Sequence, residues 1–193
     1  MGDKEFIAGK QKALNSLQKA YEEKKVDKEI ISLLKIINKS PKYYSSSSCA
    51  GRIVILELPC IGDKKNAQFL GKWHKKVTSE EILDSLQKAQ KGYIWMLAQS
   101  PIFHIVTDTS TDADILVKTA VSCGFKNSSI KSFGKKNVVE ICSTERLDAP
   151  LGRDRTLYYK EKYIINLVEI ANDILEKSQA KLLQFENLLG TII

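Results

Sequence analysis

The chain has 193 residues, of which 43% are hydrophobic and 27% charged, and its net charge is +7. This composition excludes a disordered chain and suits one domain or two small lobes that share a core. No apolar run approaches the roughly 20 residues of a membrane-spanning helix, and the opening MGDKEFIAGKQKAL lacks the apolar core of a signal peptide. We therefore expect a cytoplasmic protein with no membrane partner.

The positive charge is concentrated in two short stretches, which we call the first and second basic segments. The first, residues 60–76, holds five lysines against one aspartate, and the second, residues 125–138, holds four lysines and no acid. Such clusters are typical of a surface that binds a polyanion, although lysines solvated on loops would give the same pattern. The candidate RNA-binding lysines are Lys64, Lys65, Lys72, Lys75, Lys76, Lys126, Lys131, Lys135 and Lys136.

Metal and nucleotide motifs are missing from the sequence. The two histidines, His74 and His104, lie 30 residues apart, so no local zinc site and no bound metal are expected. No two of the ten glycines are closer than seven residues, which excludes the dinucleotide fingerprint and the glycine loop of Rossmann-type methyltransferases. Free, mostly buried thiols are expected for the cysteines, which show no C-x-x-C spacing: Cys49, Cys60, Cys123 and Cys142.

Helices are predicted at both ends of the chain. Residues 3–22 carry an apolar stripe at helical spacing, and Asp27 can cap a second helix that runs to Asn38 before Pro41. A long helix is predicted for residues 156–189. We expect its apolar stripe to be buried: Ile164, Val168, Ala171, Leu175, Ser178, Leu182, Phe185 and Leu189.

Two similar segments in the middle of the chain suggest a duplicated strand-turn-strand unit. Residues 43–58, YYSSSSCAGRIVILEL, and residues 127–141, NSSIKSFGKKNVVEI, both join hydroxyl-rich residues to a glycine and then to a β-branched strand. Each segment is predicted to form a hairpin, because its glycine can adopt a positive φ in the turn. Strand alternation would place two of the four serines on each face of the first strand.

A helix and a strand are predicted between these segments. Thr78 and Glu81 can form a capping box that opens a helix extending toward Leu97. The apolar PIFHIVT, residues 101–107, predicts a short strand.

A further helix then leads into the second segment. Thr111 with Asp114 can cap this helix, and Gly124 can end it. The whole order predicts an α+β fold with mixed or antiparallel sheets, whose core spans residues 43–152 and is packed by helices.

The serine run is the strongest candidate for a binding site. Serine is a poor strand former, so four in a row cost stability, and such local violations are expected at functional sites. An arginine after the turn can bind a carboxylate or phosphate in bidentate geometry. The candidate ligand-binding residues are Ser46, Ser47, Ser48, Cys49, Gly51 and Arg52 from the first segment, and Asn127 and Ser128 from the second.

Three further residues each allow two interpretations. Trp73 and His74 lie in the first basic segment and can stack on an RNA base, whereas a tryptophan at such a position more often anchors the core. His104 lies alone on an apolar strand, where a hydrogen-bonded core histidine is the default.

These residues resemble the tRNA wybutosine-synthesizing protein 3 family in its stand-alone archaeal form. The similarity covers most of the chain and rests on Trp73 and His74 together with four motifs: YYSSSSCAGRI, PIFHIV, GFKNSSI at 124–130 and VEICSTERLDAPLG at 139–152. The ordered set is specific, whereas each motif alone is weak.

The resemblance implies a single methyltransferase domain spanning residues 1–193 that uses S-adenosylmethionine. The implied substrate is a tricyclic wyosine-type guanosine that carries an aminocarboxypropyl side chain, immediately 3′ of the anticodon of tRNA-Phe, and the methyl group goes to N4. The implied partner is the anticodon stem-loop, and the predicted serines, Arg52, Asn127 and Ser128 would bind the cofactor or the base. Within this interpretation His104 is the candidate catalytic residue, which orients or deprotonates the base.

Two alternatives remain open at the level of sequence. The lysines and Trp73 would equally suit a non-catalytic RNA-binding module, and the stripe of the C-terminal helix would suit a helix-mediated assembly protein. The sequence also leaves the oligomeric state open.

Overall fold

Five helices and nine strands make up residues 3–192, the part of the chain that the computed structural model describes. The helices are α1 (Asp3–Glu22), α2 (Ile31–Lys39), α3 (Ser79–Leu86), α4 (Ser110–Ser122) and α5 (Glu161–Ile192). The strands are β1 (Tyr43–Cys49), β2 (Arg52–Leu58), β3 (Gln68–Trp73), β4 (Tyr93–Gln99), β5 (Ile102–Thr107), β6 (Ser129–Ser132), β7 (Asn137–Cys142), β8 (Arg146–Arg153) and β9 (Thr156–Leu157).

The strands form two antiparallel sheets, and each sheet is the centre of one compact unit. The first unit comprises residues 3–50, 101–144 and 179–192, with the strand order β1-β5-β7-β6. The second unit comprises residues 51–100 and 145–178, with the order β3-β2-β4-β8-β9. The predicted α+β class is confirmed, and none of the described helices has the length and apolarity needed to cross a membrane.

Helices pack on both faces of the sheet of the first unit. On one face, Phe103 and Ile105 of β5 are fully buried against α2, α4 and the end of α5. On the other face, Phe6 of α1 packs on Tyr44 and Val106, with the Phe6 and Tyr44 ring centroids 5.2 Å apart. Each fully buried large side chain contributes about 1.5–3 kcal/mol of hydrophobic stabilisation.

The core of the second unit lies on one face of its sheet. Ile53 and Ile55 of β2 and Met96 of β4 are fully buried there, against Ile82 of α3 and Ile164 of α5. Alternation along each strand directs the intervening side chains to the opposite face.

The stripe of the C-terminal helix is confirmed, since all eight predicted positions are buried. The helix begins at Glu161 rather than at residue 156, because Thr156 and Leu157 pair with β8 as the short strand β9. Residues up to Ser178 belong to the second unit, and the rest of the helix belongs to the first.

One of the two predicted hairpins is wrong. Strands β6 and β7 do pair as a hairpin, but β1 pairs with β5, while β2 pairs with β3 and β4 in the other sheet. Gly51, with φ of 89°, lies between β1 and β2. Turn chemistry shows where the chain can bend, but the partner of each strand is decided by longer-range pairing.

The helix opened by Thr78 is confirmed, but its predicted extension toward Leu97 is wrong. It ends at Leu86, and Tyr93–Gln99 instead forms β4, whose side chains alternate between half-buried and buried. Gly92, with φ of 127°, precedes this strand. A short continuous apolar run after a glycine is as typical of a strand as of a helix, and here it forms a strand.

The predicted helix caps are correct at α3 and displaced at α4. The Glu81 backbone N–H donates to Thr78 Oγ1 over 3.3 Å, and the Thr78 backbone N–H donates to the Glu81 carboxylate over 2.9 Å. At α4 the cap is Thr109, whose Oγ1 accepts from the Asp112 backbone N–H at 3.0 Å, so the predicted cap at Thr111 is wrong by two residues.

Candidate functional site

The four serines of β1 lie on an edge strand of the first unit's sheet, and all four line one groove. Ser45 pairs with Ile105 whereas Ser47 pairs with His104, so Ser46 is the extra residue of a β-bulge. The bulge interrupts strand alternation. The register places Ser45 and Ser48, opposite Ile105 and Phe103, on one face and Ser47, opposite His104, on the other.

The groove runs beside α1 and has a volume of about 640 Å³, a size found for small-molecule sites. In addition to the serines, four charged side chains line the groove: Lys12 of α1, Lys25, Asp27 and Lys136. Val106 and Val138 contribute apolar surface from the sheet. The groove thus offers hydroxyls, cations and a carboxylate to one ligand.

Two side chains from the helical region fix the ends of the serine run. Asn38 donates through Nδ2 to Ser45 Oγ, and its Oδ1 accepts from the Ser45 backbone N–H, both at 2.9 Å. The Asp27 carboxylate accepts from the Ala50 backbone N–H at 2.8 Å. Asp27 makes no side-chain cap to the helical turn that follows it, so its predicted capping role is wrong.

A chain of hydrogen bonds connects the serines to three charged or titratable side chains. Ser47 Oγ lies 2.9 Å from Nδ1 of His104, whose Nε2 lies 2.9 Å from the Glu140 carboxylate. The other Glu140 oxygen lies 2.7 Å from Lys131 Nζ. Because a carboxylate only accepts, Nε2 carries the proton, and Nδ1 of a neutral ring accepts from the Ser47 hydroxyl.

Glu140 is held as a carboxylate in this chain. Partial burial by itself raises the pKa of Glu140, but hydrogen bonds and charge from Lys131 and His104 outweigh burial and place the pKa below its ordinary value. The anion fixes the orientation of the imidazole. His104 is thus hydrogen-bonded, as expected, but it is half-buried rather than in the core, and β7 places this glutamate directly opposite it.

Several predicted ligand-binding residues are not among those that line the groove. Cys49 is half-buried at the end of β1, and Asn127 is exposed. The Ser128 hydroxyl donates to the Phe125 carbonyl at 2.7 Å, and it accepts from the Cys142 backbone N–H at 3.3 Å. Ser128 thus has a local structural role in the loop before β6.

Gly51 and Arg52 belong to the second unit. Arg52 donates through Nε to Gln99 Oε1 over 2.7 Å, and its guanidinium lies 5.5 Å from the centre of the Phe69 ring. This arrangement holds the guanidinium on the face of the sheet opposite the core.

The structure supports the core interpretation of Trp73. Its half-buried ring packs against the core of the second unit and lies over Gly71, where a Cβ atom would be 2.0 Å from the ring. His74 places Nδ1 2.9 Å from the Gly51 carbonyl oxygen. Trp73 is therefore a poor candidate for stacking on a base.

The predicted lysines fall into distinct environments. Lys75 and Lys76 form exposed ion pairs with glutamates, Lys131 pairs with Glu140, and Lys136 lines the groove. Exposed pairs of this kind contribute little to stability. The remaining five are exposed: Lys64, Lys65, Lys72, Lys126 and Lys135.

The sequence pattern did not point to Glu140, and it suggested Asp27 as a helix cap. The available signal for Glu140 was a carboxylate between two β-branched residues on a predicted strand. A carboxylate in such a strand needs a partner.

Comparison with known proteins identifies close relatives across the whole chain. A tRNA(Phe) 7-((3-amino-3-carboxypropyl)-4-demethylwyosine(37)-N(4))-methyltransferase from Thermococcus sibiricus is 47% identical over 186 residues, which cover 96% of this chain and 94% of the relative. An enzyme from Pyrococcus horikoshii with the same activity in its name is 45% identical, over 97% of this chain and 96% of its own.

Solved structures and a family model agree with these relatives. The PH1069 protein from Pyrococcus horikoshii matches with a TM-score of 0.93 at 45% identity, over 97% of each chain. A hypothetical protein from Aeropyrum pernix matches with a TM-score of 0.75 at 26% identity, over 86% of this chain and 99% of its own. The family model described as Methyltransferase TYW3 matches residues 8–191. The resemblance drawn from the sequence motifs is confirmed, and the chain belongs to the TYW3 methyltransferase family.

Proposed function

We propose that the groove between α1 and β1, with Ser47 in its lining and His104 hydrogen-bonded to Ser47, is the site of methyl transfer. The reaction is S-adenosylmethionine-dependent methylation of N4 of 7-(3-amino-3-carboxypropyl)-4-demethylwyosine at position 37 of tRNA(Phe). The observation that carries the site is the hydrogen-bonded chain from Ser47 through His104 to Glu140, which ends at a groove of ligand size. A tRNA substrate supports the expected location in the cytoplasm.

The lining of the groove fits S-adenosylmethionine. Lys12, Lys25 and Lys136 can bind its carboxylate, while the hydroxyls of Ser46 and Ser48 can bind its ribose and adenine. When bound, S-adenosylmethionine supplies a methyl group attached to a positively charged sulfur. Because the ends of the serine strand are fixed by neighbouring side chains, these hydroxyls are positioned before any ligand enters.

The hydrogen-bonded chain removes the proton that methylation makes acidic. Formation of the N4–methyl bond breaks the carbon–sulfur bond, and the proton on N4 must leave. Ser47 accepts this proton while its own passes to Nδ1 of His104, and Glu140 stabilises the resulting imidazolium. A positioned base typically accelerates such a step by about 100- to 10,000-fold, and alignment of the reactants contributes up to about 7–11 kcal/mol.

The anticodon stem-loop is the part of the tRNA that we propose the enzyme contacts. Its phosphates would bind the exposed lysines of the two basic segments, because Lys64, Lys65, Lys126 and Lys135 are accessible. These contacts fix the position of the RNA, whereas the groove selects the modified base.

The test is incubation with tRNA(Phe) that carries the unmethylated precursor and with labelled S-adenosylmethionine, followed by nucleoside analysis. We expect His104→Ala to lower kcat by about 100- to 10,000-fold and Ser47→Ala to lower it less, with cofactor binding retained in calorimetry. Ser122→Ala is a matched control, since this exposed serine donates to the Thr119 carbonyl of its own helix and does not line the groove. Wild-type turnover in His104→Ala and Ser47→Ala would reject the assignment.

A further inference from the structure

The sheet of the second unit has an apolar row on the face opposite its core. The strand register pairs Leu56 of β2 with Phe69 of β3 and with Trp95 of β4, and Trp95 pairs with Pro150 of β8. These residues alternate with buried core residues such as Ile55. Four neighbouring strands thus present apolar side chains in one line.

Part of this face is open to solvent, although Val54 of β2 on the same face is fully buried. The Phe69 side chain is 53% exposed and Pro150 is exposed, while Leu56 and Trp95 are half-buried. On the core face of the same strands, Ile55 and Met96 are completely buried. A contiguous exposed apolar patch on a folded protein typically marks a binding surface.

Cations surround the apolar row. The Arg52 guanidinium lies 5.5 Å and the Lys72 ammonium 6.0 Å from the centre of the Phe69 ring. At the other end, the Arg153 guanidinium lies 4.7 Å from the centre of the Tyr93 ring. Arg146 also projects from this face. The paired strand residues of this face include one carboxylate, Asp148, and it forms an ion pair with Arg146.

We propose that this surface, which we call the aromatic face (Arg52, Leu56, Phe69, Lys72, Tyr93 and Trp95), stacks unpaired bases of the RNA substrate, with Phe69 as the main stacking residue. The proposal rests on the proposed function for the identity of the RNA. Exposed aromatic rings on a sheet stack on bases of any sequence, and the adjacent cations bind the phosphates between them. Arg153 and Arg146 are paired with Asp154 and Asp148, but an apolar protein partner would leave Arg52 and Lys72 desolvated without counter-charge, whereas an RNA loop supplies one phosphate per nucleotide.

Phe69 therefore takes the role that the sequence suggested for Trp73. Both aromatics lie in the first basic segment, four residues apart. The bulge between Ile55 and Leu56 in the pairing of β2 with β3 places them on opposite faces, so that Trp73 joins the core and Phe69 the open face.

The test measures binding of an anticodon stem-loop RNA by fluorescence anisotropy, without S-adenosylmethionine. We expect Phe69→Ala to weaken binding about tenfold, within the range measured for loss of one stacked base. Phe69→Trp should retain affinity, while Phe69→Leu should lose it, because leucine keeps the apolar contact and removes the ring. Binding of a blunt RNA duplex made from the stem should not change.

Leu183→Ala is the control for loss of an exposed apolar side chain, since Leu183 is 62% exposed on α5. Unchanged stem-loop affinity in Phe69→Ala, or full affinity in Phe69→Leu, would overturn the proposal. A change in the sedimentation of the protein alone, with RNA affinity unchanged, would instead assign the face to contacts between copies of the chain. Because no methyl transfer is measured, failure of the groove assignment would leave this result intact.

Discussion

At the scale of single residues, the serine run of β1 is ordered by side chains on either side of it. Asn38 satisfies both the hydroxyl and the backbone N–H of Ser45, and Ser46 donates its hydroxyl to the His104 carbonyl at 3.0 Å. These bonds offset the low strand propensity of serine. The hydroxyl of Ser47 is directed to the His104 ring, and we propose that it passes a proton there.

We propose that Glu140 acts on the reaction through His104, so its replacement should lower turnover without abolishing it. In Glu140→Gln the imidazole loses a partner that only accepts hydrogen bonds, and the ring tautomer is no longer fixed. We expect kcat to fall, by less than in His104→Ala, with cofactor binding in calorimetry unchanged. Glu176→Gln, which removes an exposed ion pair with Lys76, should leave kcat unchanged. Wild-type turnover in Glu140→Gln would remove Glu140 from the mechanism.

The same carboxylate should make stability depend on pH at the acidic end. Its pKa is lowered in the folded protein by Lys131 and His104 acting against partial burial, so its stabilising contribution is complete above the ordinary value of 4.5. That contribution is lost as the pH falls through the lower pKa of the folded state. Urea unfolding should therefore show that the difference in free energy between wild type and Glu140→Gln shrinks from about pH 5 to about pH 3. A difference that grows over this interval would contradict the ion-pair geometry.

At the scale of elements, α5 shows how a single periodic pattern fixes which side of a helix is buried. Leu182 is 5% exposed and packs in the core of the first unit, whereas the adjacent Leu183 is 62% exposed. A rotation of 100° per residue is enough to separate the two environments.

These neighbouring leucines form a matched pair for a stability measurement. Leu182→Ala should lower the free energy of unfolding by about 2–5 kcal/mol, since it removes buried methyl groups and leaves a cavity. Leu183→Ala should change it by no more than about 0.5 kcal/mol. Urea denaturation of both variants checks the helix orientation, and equal losses would show that it is wrong.

At the scale of the whole molecule, the net charge of +7 should govern RNA affinity. Replacement of Lys64 and Lys65 by alanine should weaken binding to all RNA sequences alike, and it should reduce the slope of log affinity against log salt by about one for each lysine. Lys118→Ala should leave the slope unchanged, because this lysine pairs with Asp114 at 2.7 Å outside both basic segments. A full slope in the double variant would remove these lysines from the RNA contact.

The sequence by itself determined the α+β class, most helices and the buried stripe of α5, because these follow from local periodicity and capping. Its ordered motifs also determined the family. The sequence by itself did not determine the strand partners. The pairing of β1 with β5 joins residues some 58 positions apart, and no turn signal encodes that choice.

Only the tertiary structure decided how the site is built. A one-residue bulge directs Ser47 to His104, and cross-strand pairing brings Glu140 to the other side of the ring. A second bulge separates Phe69 from Trp73. Local sequence reports the conformation that each residue prefers, whereas the register between distant strands determines which side chains meet, and the chemistry depends on that register.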